Sequence, residues 1–136
     1  MSVPYAIISI MVKGKITKQI GAFPDLSEQI VADIFACEGN NIEFIKPDTR
    51  YMVHTPDIKM NGLLWEIKCP ESDKMDKIRR NINDALKQSN NVIIGTFETK
   101  ILDEKIIRYV TTYSKTLKNI NKLKIVTKTK EIIDIK

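Results

Sequence analysis

The segment Pro56-Asp57-Ile58-Lys59-Met60-Asn61-Gly62-Leu63-Leu64-Trp65-Glu66-Ile67-Lys68 concentrates an aspartate, a glutamate and a lysine within one short stretch. Side chains alternate along a strand, so Glu66 and Lys68 share one face while Trp65 and Ile67 take the other. Asn61-Gly62 is a hairpin-turn signal, because both residues tolerate positive φ. A turn there brings Asp57 beside Glu66, and two adjacent carboxylates can hold one divalent cation. Carboxylates that position a metal, with a lysine to activate water or neutralise developing charge, are what phosphodiester cleavage requires. The same spacing also suits a half-solvated antiparallel strand whose Glu66 and Lys68 merely face cross-strand partners.

Further candidates flank this core. Glu28 stands near a helix entrance, where it can supply a third metal oxygen or orient water, or simply complement the helix N-terminus. His54 is the only histidine and is a candidate general acid or base, although a lone histidine in a loop is commonly incidental. Trp65, the only tryptophan, is by default a core residue. It reaches a nucleobase only where twist or a bulge turns it outward. Lys74, Lys77, Arg80, Lys87 and Gln88 lie on a helix beside the catalytic strand, where they can contact a nucleic-acid backbone or form an ordinary solvated face.

These side chains need elements to place them. Residues 1–12 are β-branched enough for a strand, Gly14 gives a turn, and a short basic connector follows. Pro24, Asp25 and Ser27 mark a helix entrance; Leu26, Ile30, Ile34 and Cys37 recur at helical spacing until Gly39-Asn40 ends the helix near residue 38. Residues 42–45 read as a brief strand, and the hairpin joins 57–60 to 63–68. A second helix spans about 73–88, with Met75, Ile78, Ile82, Ala85 and Leu86 on one face. Residues 92–97 form an apolar strand. The stretch 102–109 is open between helix and strand, and 122–135 between two strands and an interrupted helix.

With 136 residues, the chain suits one core and one domain, 1–136. Its 43% apolar and 29% charged fractions are those of a folded globule, not of a disordered or membrane segment. The longest apolar run, 5–12, is too short to cross a bilayer and lacks the flanks of a signal peptide, so no membrane anchor is expected. Cys37 and Cys69 form no disulfide framework or zinc motif and are expected to be buried thiols. The net charge of +5 permits a polyanionic partner. No glycine-rich nucleotide loop or nucleophile elbow occurs, and one histidine excludes a multi-histidine metal site.

From about Glu28 to Ile94 the sequence resembles the C-terminal tRNase domains of bacterial contact-dependent-inhibition (CdiA-type) toxins and related phage-borne nucleases. Glu28 before Ala32 and Gly39, Pro56-Asp57, Asn61-Gly62, Trp65-Glu66-Ile67-Lys68, Asn81 through Gln88 and the strand Asn91 to Ile94 carry the likeness. The same residues are similar to the PD-(D/E)xK nuclease superfamily, in which Glu28, Asp57 and Glu66 would match the metal-binding acids and Lys68 the catalytic lysine. The resemblance implies an α/β fold, a central mixed or antiparallel sheet flanked by helices. The alternative is the α+β fold of metal-independent toxin RNases, in which His54, Asp57 and Lys68 would serve as base, acid and cationic stabiliser.

It further implies an endoribonuclease that cleaves tRNA in the bacterial cytoplasm and is delivered from another cell on a larger protein. Its cofactor would be a divalent metal, Mg or else Mn or Zn. Its partner would be a cognate acidic immunity protein covering the basic helix and the hairpin. The alternatives are a PD-(D/E)xK DNA endonuclease and a non-catalytic domain that binds nucleic acid or protein.

Overall fold

A computed structural model describes residues 12–50 and 52–136. The β-branched stretch at the start of the chain therefore lies outside the described residues. Within them, strands β1 (Ile16–Lys18), β2 (Ile42–Phe44), β3 (Ile58–Met60), β4 (Leu63–Lys68), β5 (Asn91–Gly95), β6 (Lys122–Val126) and β7 (Ile132–Asp134) alternate with helices α1 (Leu26–Cys37), α2 (Met75–Ala85) and α3 (Asp103–Ser114). The strands form one sheet in chain order. It is mixed: β1–β2, β4–β5 and β5–β6 are parallel, and the other neighbours are antiparallel. The chain is thus a single α/β domain.

Each parallel pair is bridged by a helix, because parallel neighbours cannot be joined by a tight turn. The two sheet faces carry separate cores. On one face α1 buries Val31, Ala32 and Phe35 against Ile42, Phe44, Ile58, Trp65, Ile67 and Ile93. On the other, Ile78 and Ile82 of α2 and Ile106 and Val110 of α3 cover Val92, Ile94, Leu123 and Ile125. The run Val92-Ile93-Ile94 is apolar throughout because both its faces are buried, as central parallel strands require.

α1 begins with a capping box. The Asp25 carboxylate accepts from Glu28 N–H at 2.8 Å, and Glu28 Oε1 accepts from Asp25 N–H at 2.9 Å. It ends where Gly39 takes φ 91° and Asn40 N–H returns to the Phe35 carbonyl, satisfying the last-turn carbonyls. The expected hairpin is present, with Asn61 at φ 55° and Gly62 at φ 76° between β3 and β4.

Several expectations are corrected. The basic connector after Gly14 contains β1, a three-residue edge strand whose side chains are all exposed, so no apolar alternation marks it. The two open stretches resolve within their alternatives, 102–109 falling in helix α3 and 122–135 forming the two strands β6 and β7. The cysteines are free, but Cys37 is exposed and only Cys69 is partly enclosed. Among the described residues, no helix is long and apolar enough to cross a membrane.

Because the turn holds Gly62 in the left-handed region, Gly62→Ala should cost about 1 kcal/mol even though a Cβ there meets open space. Thermal denaturation should show the loss as a drop of roughly 4 °C. An unchanged midpoint would mean that the turn does not set the register of β3 on β4.

Candidate active site

β4 changes partners midway along its length. Its first half, Leu63–Trp65, pairs with β3, and its second half, Glu66–Lys68, pairs with β5. β3 diverges at Asp57, the residue that precedes it. The Asp57 N–H still donates to the Trp65 carbonyl at 3.0 Å, and the Asp57 carboxylate accepts from the Ile67 N–H at 2.8 Å through Oδ2. A side chain thus takes over the hydrogen bond that the departing strand no longer supplies.

A cleft of about 350 Å³ opens at this fork. Glu28, Asp57, Glu66 and Lys68 all line it. Glu66 is 6% exposed and its Oε1 is buried without a hydrogen-bond partner. Its Oε2 lies 3.5 Å from Lys68 Nζ. Burial pushes Asp57 up from 3.8 to about 7, with the Glu66 charge adding to the rise. Burial likewise raises Glu28 from 4.5 to about 7 against the lowering effect of the Asp25 N–H, and the Asp57 charge adds to it. Glu66 is also raised by burial, opposed by its contacts with Asp57 and Lys68. One lysine does not neutralise three enclosed carboxylates, and a buried carboxylate oxygen without a partner can be relieved by a proton or a cation.

The donor set suits a hard divalent ion, which takes carboxylate oxygens. Among the described residues no three His, Cys, Asp or Glu side chains are gathered tightly enough to enclose one. The acids converge on a common cleft without closing on one centre, so the fit rests on Asp57 and Glu66, with Glu28 behind them.

Other expected residues fall elsewhere. His54 is exposed and is not among the residues lining the cleft, so it is not placed to serve as the acid or base of a metal-free reaction there. Trp65 is 1% exposed, packed into the α1 core with its indole N–H donating to the Met60 carbonyl at 3.2 Å, so it offers no face for stacking on a base. Lys74, Lys77, Arg80 and Lys87 are exposed along α2, and Gln88 is half-buried beyond its end. Arg80 pairs with Asp76 at 3.0 Å and Lys87 with Asp84 at 3.5 Å, so the helix partly neutralises itself.

The cleft also contains residues that motif and spacing did not assign to it: Asp25, Ser27, Cys69, Glu71 and Glu98. Burial pushes the Cys69 thiol up to about 12, so it stays protonated and is no nucleophile. Glu71 follows β4 and Glu98 follows β5. The two loops are tied where Thr99 Oγ1 donates to the Ser72 carbonyl at 2.8 Å and Lys100 N–H to Asp73 at 3.0 Å. Parallel strands end on the same side, which is where α/β sheets place their sites. The signal that could have found Glu71 and Glu98 is the strand–helix–strand order around α2, a connection typical of parallel strands.

Residues 54–132 match the model of the contact-dependent growth inhibition CdiA C-terminal domain family. Among solved structures, the chain is similar to a CdiA-CT/CdiI toxin and immunity complex from Burkholderia pseudomallei. The TM-score is 0.68 at 17% identity, over 90% of this chain and 99% of that one. No curated protein sequence matches.

The raised acids set a pH dependence. Between about pH 4 and 7 the native state holds more protons than the unfolded state, in which Glu28 and Asp57 have ordinary values. Stability without divalent ions should therefore fall as pH rises through that window and level off above it. Asp57→Asn should flatten the slope and raise the melting temperature at pH 8 by roughly 4 °C. Magnesium or manganese should stabilise the wild type at pH 8 more than at pH 5, because protons and cation compete for the same oxygens. A lower melting temperature for Asp57→Asn at pH 8 would make Asp57 a structural residue.

Proposed function

Because the chain belongs to the contact-dependent growth inhibition CdiA C-terminal domain family, we propose that it is a growth-inhibition toxin that acts as a metal-dependent endoribonuclease on tRNA. The observation that carries the nuclease reading is the buried, unpartnered Glu66 Oε1, set beside Asp57 and Glu28 with Lys68 at the cleft. The Glu-x-Lys pair on β4 and the aspartate at the mouth of β3 support the PD-(D/E)xK reading. The choice of tRNA over other RNA or DNA is supported by the sequence resemblance to tRNase domains.

Asp57 and Glu66 would hold a divalent cation, with Glu28 as a further acid. Such an ion lowers the pKa of water and offsets charge on a phosphodiester. Lys68, kept at the cleft by Glu66, orients the attacking water and stabilises charge developing on the phosphate. The Ile67 N–H fixes Asp57 Oδ2 while the Asp25 N–H occupies Glu28 Oε1, so the remaining oxygens are aimed rather than free to rotate. Exposed Lys74 and Lys77 at the start of α2 are available to phosphates flanking the cut.

Delivery from another cell as part of a larger protein, followed by action in the cytoplasm, follows from the same family reading. So does a cognate immunity protein, since the similar structure is of a toxin and immunity complex. Six carboxylates line the cleft against one lysine. A partner that is acidic where it meets α2 must therefore present cations where it meets the cleft.

Purified protein should cut tRNA in magnesium or manganese and stop in excess chelator. It should leave simple phosphate ends, because metal-activated water does not involve the ribose hydroxyl. Glu66→Gln and Asp57→Asn should each reduce cleavage at least ~100-fold with the fold retained, and Lys68→Ala comparably with less effect on metal affinity. In bacteria, wild-type expression should yield tRNA fragments before ribosomal RNA decays, and Glu66→Gln should yield neither fragments nor growth arrest. Full cleavage in chelator with cyclic phosphate ends would sink the metal reading; intact tRNA under every metal would sink the enzyme.

A further inference from the structure

A second cavity of about 440 Å³ lies toward the start of β4, and its lining residues are separate from those of the cleft. Leu64 lines it and lies two residues before Glu66 on the same side of the strand, about 7 Å away at ordinary strand rise. Pro56, directly before Asp57, lines it as well. The two hollows are therefore neighbours in sequence on both strands of the fork, through Pro56 and Asp57 on one and Leu64 and Glu66 on the other. Gln88, Asn90 and Asn121 line the same hollow as Leu64.

The walls of this hollow are braced from behind. Ser89 Oγ and Asn91 Nδ2 both donate to the Leu64 carbonyl, at 2.7 and 3.0 Å, filling the acceptor that β4 leaves unpaired before β5 joins it. The Asn121 N–H donates to the Asn90 carbonyl at 2.8 Å, and the Gln88 N–H to the Ala85 carbonyl at 2.9 Å. These bonds fix the backbone of each amide residue. Among the described residues, the side-chain amides of Gln88, Asn90 and Asn121 make no hydrogen bond with protein. Leu64 remains 45% exposed between them.

An apolar floor ringed by free amides, one strand repeat from the phosphate-cutting oxygens, has the chemistry of a base-reading pocket. Unpaired RNA bases are recognised by packing of the ring face and by hydrogen bonds to its edge, and an asparagine or glutamine amide supplies a donor and an acceptor together. Resting on the nuclease reading, we propose that this hollow binds the base of the unpaired ribonucleotide next to the scissile phosphate, with Leu64 against the ring and Asn90, Asn121 and Gln88 on its edge. The pocket, rather than the acidic cleft, then selects where the strand is cut.

The inert Glu66→Gln protein should bind short single-stranded oligoribonucleotides with a base preference, read by fluorescence anisotropy in magnesium. Adding Asn90→Ala or Asn121→Ala should reduce that preference about tenfold. Neither residue belongs to the catalytic set. In parallel, the same changes in active protein should even out the choice of base beside the cut. Binding and cut-site preferences that survive both substitutions would overturn the pocket. If the wild type cuts nothing yet the amide variants still lose the binding preference, the pocket stands and the nuclease reading falls.

Discussion

The bond from the Ile67 N–H to the Asp57 carboxylate is the contact on which the site depends. At that point β4 exchanges β3 for β5, and an exchange of partners leaves backbone groups without a ladder. Buried backbone donors are seldom left unpaired, because the desolvation cost is of the order of a lost hydrogen bond. Asp57 meets that need, and in doing so is held at the fork beside Glu66. On the other edge, Ser89 and Asn91 do the same for the Leu64 carbonyl. One topological event thus produces both the acidic cleft and the amide-lined hollow beside it.

The acidic cleft carries a cost. Glu28, Asp57 and Glu66 are all raised chiefly by burial, and a fold optimised for stability alone would not enclose them together. Their presence is better explained by a cation or a proton that the site must hold than by any contribution to the core. The α1 core reaches the cleft at Ile67 and Cys69, whereas the core under α2 and α3 contributes none of the cleft's lining residues. α1 seals one face around Trp65, and α2 and α3 seal the other around Ile94 and Ile125.

Features read correctly from sequence were those set by local chemistry. Asn61-Gly62 fixed the hairpin because two adjacent residues at positive φ are a short-range requirement. The Pro24, Asp25, Ser27 and Gly39-Asn40 signals bounded α1, and the helical stripe from Met75 to Leu86 identified α2. Long-range features were less legible. β1 is short and exposed, so its place beside β2 leaves no hydrophobic pattern. Glu71 and Glu98 join the cleft only through the parallel pairing of β4 with β5. Asp57, Glu66 and Lys68 share the cleft through the hairpin and its second strand, whereas Glu28 reaches it from α1; His54, three residues before Asp57, was close in sequence but remains exposed outside the cleft. Trp65 followed its default, since alternation points it opposite Glu66 and into the larger core.

The distribution of positive charge bears on how, in the proposed reaction, an anionic strand would reach so acidic a cleft. The chain is +5 overall, yet its cleft holds six carboxylates to one lysine, so attraction must come from outside the cleft. On α2, Arg79 and Arg80 rest on Asp76, and Lys87 on Asp84. Exposed pairs of this kind are worth at most about 1 kcal/mol, so phosphates can displace the carboxylates at little cost. Asp76 and Asp84 offset only part of the charge of Lys74, Lys77, Arg79, Arg80 and Lys87, so the helix keeps a positive surface on which phosphates could lie. Attraction of that origin is long-ranged, salt-dependent and blind to sequence. In the proposed reaction discrimination would have to come from short-range contacts, and the hollow around Leu64 is where exposed apolar surface and free amides meet.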